Sequence, residues 1–180
     1  MPRVIKGGLA TGGRIVEDSW HEVADEAGLL AVPRTLDVLV PLALWRGAQA
    51  QLLAREGRRG VRLGAADDGG ELAPFLERLA LVAVEFPVFS DGRGFSTARL
   101  LRERYGYRGE LRAVGDVLRD QIYYMLRCGF DAFALRADKD PEEALAAYHD
   151  FSESYQAAVD QPVPLYRRRL QGPALAEPNP

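Results

Sequence analysis

Residues 81–135 read LVAVEFPVFSDGRGFSTARLLRERYGYRGELRAVGDVLRDQIYYMLRCGFDAFAL. Three short apolar runs, at 81–86, 111–114 and 132–135, are separated by two amphipathic segments. Runs of this length suit strands covered on both faces, and the segments between them are long enough for helices. Strand, helix, strand, helix, strand is the pattern of parallel pairing through helical crossovers. The stretch therefore predicts an α/β fold.

The same alternation continues on either side. Residues 61–65 read as a strand, Asp67-Asp68-Gly69-Gly70 as a turn, and 71–79 as a helix with Pro74 in its first turn, where proline is tolerated. Over 42–55, Leu42, Trp45, Gln49, Leu52 and Leu53 recur at helical spacing, with Gly57 as a stop. Residues 36–40, ended by Pro41, are a candidate fifth strand. Residues 1–30 alternate around Gly7-Gly8 and Gly12-Gly13 and predict a small antiparallel N-terminal appendage, with a strand over 14–18 and Trp20 covering the main core. Downstream, Asp140 caps a helix, Pro141 opens it, and Glu142 and Glu143 favour the positive end of its dipole.

The expectation is a single α/β domain over residues 1–160. Its mostly parallel sheet has four or five strands with flanking helices. An open doubly wound sheet is preferred to part of a (β/α)8 barrel, which these units are too few to close. Residues 161–180 contain five prolines and the run Arg167-Arg168-Arg169. They are expected to be an extended or disordered tail.

Composition narrows the function classes. The chain of 180 residues is 47% hydrophobic and 27% charged, ordinary for a soluble globular protein. A net charge of -3 argues against general nucleic-acid binding. No apolar stretch approaches the length of a membrane span, and Met1 to Gly8 holds no apolar leader. A cytoplasmic location is expected. The single cysteine, Cys128, excludes an internal disulfide and a self-contained four-cysteine cluster. His21 and His149 have no metal-like or triad-like neighbours in sequence, and neither a metal nor a cofactor is expected.

In an open α/β sheet, ligands sit at the carboxyl ends of the strands. Two turns would meet at that edge: 90–96, with Asp91, Gly92, Arg93, Gly94 and Ser96, and 115–121, with Asp116, Arg119 and Asp120. A glycine turn entering a helix offers free N–H groups and a positive dipole end, and Arg93 adds a fork donor. These residues are candidates for binding an anion or a partner's carboxylate. The structural alternative is an ordinary turn, with Asp91 bonding locally, Ser96 capping the helix over 97–105 and Asp116 capping the next. The glycine spacing fits neither a dinucleotide fingerprint nor a P-loop. Arg112, inside a strand, needs a carboxylate; Glu85, Asp116 and Asp131 are candidates. Cys128 reads as a buried structural cysteine or, alternatively, a redox thiol. Tyr105, Tyr107, Tyr123 and Tyr124 read as core and rim aromatics rather than stacking platforms.

FPVFSDGRGFSTARLLRERYGYRGELRAVGDVLRDQ over 86–121, with RCGFDAF over 127–133, resembles a bacterial family of unknown function, DUF934. The similarity is dense from Phe86 to Phe133 and extends more weakly upstream through Asp37 and Leu42. Members of that family are described in connection with sulfite reduction. The resemblance implies an accessory protein of assimilatory sulfite reduction, acting with a sulfite reductase as partner, assembly factor or electron- or substrate-transfer component. The alternative, from the residues, is an enzyme acting on a small oxyanion-bearing substrate at the strand edge. A homodimer is the default for a small α/β protein.

Overall fold

The computed structural model of the protein describes residues 2–170. Its strands are β1 (Arg3–Lys6), β2 (Arg14–Glu17), β3 (His21–Glu22), β4 (Val38–Pro41), β5 (Arg59–Leu63), β6 (Leu81–Phe86), β7 (Glu110–Gly115) and β8 (Ala132–Phe133). The α-helices are α1 (Glu26–Ala31), α2 (Leu42–Leu53), α3 (Arg93–Arg99), α4 (Arg119–Arg127), α5 (Pro141–Leu145) and α6 (Leu165–Leu170). A 3-10 helix, Gly69–Arg78, joins β5 to β6, and a π-helical turn, Leu100–Arg104, prolongs α3.

All eight strands form one mixed sheet in the order β2-β1-β8-β7-β6-β5-β4-β3. Strands β3 to β8 run parallel in sequential order, and β1 is antiparallel to both β2 and β8. The expected sheet of four or five strands is thus too small. The N-terminal hairpin is not an appendage but completes the sheet.

The strand order never reverses, so the sheet has no topological switch point. Sequential parallel strands with crossovers of one hand place every helix on the same face. The packing agrees. Val40, Val61, Val82 and Leu111 align across four strands. Leu63, Val84, Ala113, Phe133 and Ile5 form the adjoining row. Both rows pack with Trp45 and Leu52 of α2, Leu72 of the 3-10 helix, Leu101, and Ile122 and Met125 of α4. The other face carries a smaller cluster of Trp20, Leu39, Leu81 and Ala83. Trp20 therefore covers the opposite face from the main core. The doubly wound expectation is replaced by a singly wound sheet.

That sheet is curled. Strands β2 and β3 form its two edges, yet only Asp18, Ser19 and Trp20 separate them in the chain. Laid flat, seven strand spacings would hold the edges about 34 Å apart. Four Cα steps, from Glu17 to His21, reach at most about 15 Å. The short link is compatible only with strong curvature, and the sheet is a half-barrel with the link crossing its inner face.

Arg112 on β7 is the centre of that inner face and is 1% exposed. Ala83 and Ala132 flank it in register, and their small side chains leave room for its guanidinium. Arg112 Nη1 donates to Asp18 Oδ2 at 2.7 Å, and its Nε donates to Glu110 Oε1 at 2.8 Å. Lys6 Nζ reaches the other Glu110 oxygen at 2.7 Å. The need for a carboxylate is met, but not by Glu85, Asp116 or Asp131. Asp131 instead holds Arg102 at 2.8 Å.

At the other end of the chain, the sequence in 161–180 does not stay extended throughout. Leu165–Leu170 is helical, and Arg168 Nη2 donates to Ser154 O at 2.9 Å. Residues 171–180 of the predicted tail lie outside the described residues.

Candidate functional site

The turns after β6, β7 and β8 meet at the carboxyl edge through one side chain, Asp116. Its backbone N–H donates to Phe86 O at 2.7 Å. Its carboxylate accepts from Phe89 N at 2.9 Å and from Arg136 Nη1 at 3.0 Å. Arg136 also binds Asp138 through Nε at 2.6 Å. Asp116 is therefore not a helix cap. Helix α4 begins at Arg119 after Leu118, whose N–H donates to Gln121 Oε1 at 3.1 Å.

The turn before α3 is also internally satisfied. Arg93 Nε and Nη2 donate to Asp91 Oδ1 and Oδ2 at 2.9 and 2.6 Å, and Arg93 N donates to Oδ1 at 3.2 Å. These bonds hold the Asp91 carboxyl at about 2, and the same bond raises Arg93. Gly92 takes the cap position without a side-chain bond, so the expected capping by Ser96 is overturned: Ser96 lies exposed within α3. Gly94 is required by packing, because a Cβ there would stand 2.6 Å from Phe86 Cζ. Gly115, at φ 93°, brings the backbone over Phe86 O, where a Cβ would collide.

Arg119 extends away from this turn and pairs with Asp150 at 2.6 Å, while Asp120 is exposed in the first turn of α4. The candidate cations thus do not converge as free donors. Arg93, Arg119 and Arg136 each hold a carboxylate of their own chain. An incoming anion must share each guanidinium with a carboxylate already bound to it.

A second feature lies on the helical side. A cavity of about 450 Å3 sits between the end of α3, helix α4 and the irregular segment 151–158. Its walls include Tyr123, Tyr124, Phe151 and Tyr155, with Arg99, Arg127 and Cys128. Tyr123 stacks obliquely on Phe151 with centroids 4.8 Å apart, and its hydroxyl lies 2.7 Å from Ser154 Oγ. Arg127 ties the segment down by donating to both Asp160 oxygens at 2.9 Å and to Gln156 O.

Cys128 caps the end of α4 and is buried. Burial pushes its thiol pKa up, against the lowering influence of Tyr124, Arg99 and Arg127. That shift runs away from the thiolate that an activated cysteine needs.

Exposed apolar side chains connect the two features. Val88 and Phe89 are 53% and 52% exposed. Phe89 O accepts from Gln121 Nε2 at 3.4 Å, which places the pair beside the first turn of α4. Tyr124, 58% exposed, follows one turn later and packs on Phe95 at 5.1 Å. Phe151 and Tyr155, also exposed, stand with Tyr124 on the walls of the cavity. Sequence reading missed this strip because Val88 and Phe89 lie beside the glycine turn, and Phe151 and Tyr155 are close to α4 only in space. It missed Arg136 and Asp138 too, although their place just after β8 marks them as edge residues.

Among the described residues, no group of three His, Cys, Asp or Glu side chains is placed to hold a metal ion. No helix among them is long and apolar enough to cross a membrane. Fold and surface define a class: an α/β half-barrel with ion-paired strand-end turns and an aromatic strip along one helix. The family described as a bacterial protein of unknown function, DUF934, matches residues 60–166, more than half of the chain. The chain belongs to that family. No curated protein matches it. The matched span contains the edge turns, α4 and the aromatic strip.

Proposed function

We propose that the protein is a cytoplasmic accessory component of assimilatory sulfite reduction, docking on a sulfite reductase through the strip formed by Val88, Phe89, Tyr124, Phe151 and Tyr155. The pathway comes from the family resemblance. The mode of action rests on one observation: large apolar side chains are exposed along a rigid scaffold, beside an edge whose arginines are already paired. Exposed aromatic residues set on fixed turns are what protein interfaces concentrate their affinity in. The Phe89 backbone is held by Asp116 and Gln121, which lowers the ordering cost of docking.

The role is that of partner, assembly factor or helper in electron or substrate transfer. The alternative, an enzyme acting on a small oxyanion-bearing substrate, has to bind through Arg93 or Arg119 in competition with Asp91 or Asp150. The test is co-purification with the reductase from sulfate-grown cells. Wild-type chain is expected to retain the reductase, and Phe89→Ala with Tyr124→Ala to lose most of it, each costing about 2 kcal/mol. Unchanged sulfite reduction in a deletion strain growing on sulfate alone overturns the proposal.

A further inference from the structure

Among the described residues, the arginines classed as buried are Arg55, Arg112 and Arg127. Arg112 is matched by Asp18 and Glu110, and Arg127 by Asp160. Arg55 is the exception. Among the described residues it has no carboxylate partner. Its Nη atoms donate only to carbonyls, the closest being Pro33 O at 2.6 Å, with Val32 O and Leu36 O near 3.4 Å. Its Nε is buried without any partner.

Arg34 stands next to it and is likewise without a carboxylate among the described residues. Its Nη2 donates to Ala54 O at 2.9 Å. Each arginine therefore caps the carboxyl end of a helix: Arg55 that of α1, and Arg34 that of α2. Carbonyl ends do not cancel the charge. Two guanidiniums carry two positive charges, whereas two helix ends supply about one negative charge in total. Burial and the neighbouring charge of Arg34 both push the Arg55 pKa down, the mark of a cation short of a counter-charge.

Both arginines line a cavity of about 270 Å3 with Leu29, Leu30, Val32 and Gln51. Glu26 is nearby but is held by Gln51 Nε2 at 3.4 Å and bonds to neither arginine. We propose that this cavity is a binding site for a small oxyanion of the sulfate, phosphate or carboxylate class. Arg55 brings to the cavity wall a guanidinium that no carboxylate neutralises, Arg34 adds its remaining guanidinium donors, and Gln51 a neutral amide. A buried cation without a counter-charge is costly, and an anion in the cavity would supply one. An oxyanion accepts several N–H bonds in the geometry a guanidinium presents. The site is on the opposite side of the sheet order from the aromatic strip, and its existence does not depend on the proposed partner.

The test titrates the full chain with sodium sulfate, sodium phosphate and sodium acetate, each against sodium chloride at equal ionic strength. Calorimetry and thermal melting are both read. Saturable binding to at least one oxyanion with a rise in melting temperature is expected, and the three salts sort the class. Arg34→Ala, an exposed position, is expected to weaken that binding about tenfold or more while leaving the unliganded melting temperature within a few degrees. Arg55→Lys keeps a charge but removes the fork, and weakens it further. If Arg55→Lys fails to fold, Arg34→Ala and Gln51→Ala decide, since both side chains are exposed. A response equal to that of chloride overturns the proposal and leaves Arg55 as a carbonyl clamp alone. Undiminished binding in Arg34→Ala, or binding abolished by Arg93→Ala instead, overturns it as well.

Discussion

Asp18 and Arg112 are 94 residues apart in the chain and meet inside the half-barrel, Nη1 to Oδ2 at 2.7 Å. Asp18 lies in the three-residue link between the two edge strands, and Arg112 lies on β7, in the middle of the sheet. The pair therefore fastens the link across the inner face. Without Arg112, Asp18 would lose its cation inside the barrel, and without Asp18, Arg112 would keep only Glu110.

Asp18→Ala is expected to destabilise the protein by about 3 kcal/mol, the scale for breaking a buried ion pair. Glu110 remains beside Arg112 and keeps the loss from being larger. Urea unfolding at neutral pH measures it. A loss below about 1 kcal/mol would show that the link stays closed through Trp20 and the backbone alone.

The two inner strands offer a sharper contrast. Val84 is 2% exposed on the helical face, whereas Val114 is half-buried on the inner face. Val84→Asp is expected to abolish soluble folding, because its carboxylate has no partner among Leu63, Ala113 and Phe86. Val114→Asp, near the barrel mouth, is expected to fold with a loss of about 1–2 kcal/mol. Soluble expression and circular dichroism of both variants read the difference. Equal behaviour would contradict the assignment of faces.

Asp91 titrates at about 2 because Arg93 bonds its charged form. A carboxyl whose folded pKa is depressed contributes stability above its unfolded value, near 3.8. That contribution fades as pH falls from about 4 toward 2. Carboxyl carbon shifts followed by NMR are expected to show the low midpoint in wild type. Arg93→Ala is expected to return it to the ordinary range. A midpoint that stays low in the variant would assign the shift to the Arg93 backbone N–H instead.

Cys128 is expected to be a slow thiol. Its burial at the end of α4 raises its pKa and blocks approach. At neutral pH, native protein is expected to react with a thiol-exchange reagent roughly tenfold or more slowly than urea-unfolded protein. Fast labelling of the native chain would restore the redox reading of this residue.

What was legible in the sequence was local. Leu81–Phe86 was bounded correctly because a continuous apolar run must be covered on both faces wherever it lies. Asp140 caps α5 as expected, accepting from Glu142 N at 3.0 Å, because a cap is satisfied by residues two or three positions away. Asp91 and Arg93 were singled out together, yet their bond was not foreseen: whether a fork turns outward to a ligand or back onto its neighbour depends on the turn that holds it. Asp116 was read as a cap because it precedes α4, but the start of α4 at Arg119 frees it to join three turns.

The sequence by itself determined that this is an α/β protein with parallel strands and a particular set of charged turns. Only the tertiary structure decided that the sheet has eight strands and curls. The N-terminal hairpin pairs with β8, the last strand in the chain, and the three-residue link brings the opposite edge round. Curvature and register place Asp18 against Arg112 and segment 151–160 against α4. Those contacts arise from closing the sheet, which no local propensity encodes: apolar runs specify that a strand is covered, while the partner of each charge is set by which strands become neighbours.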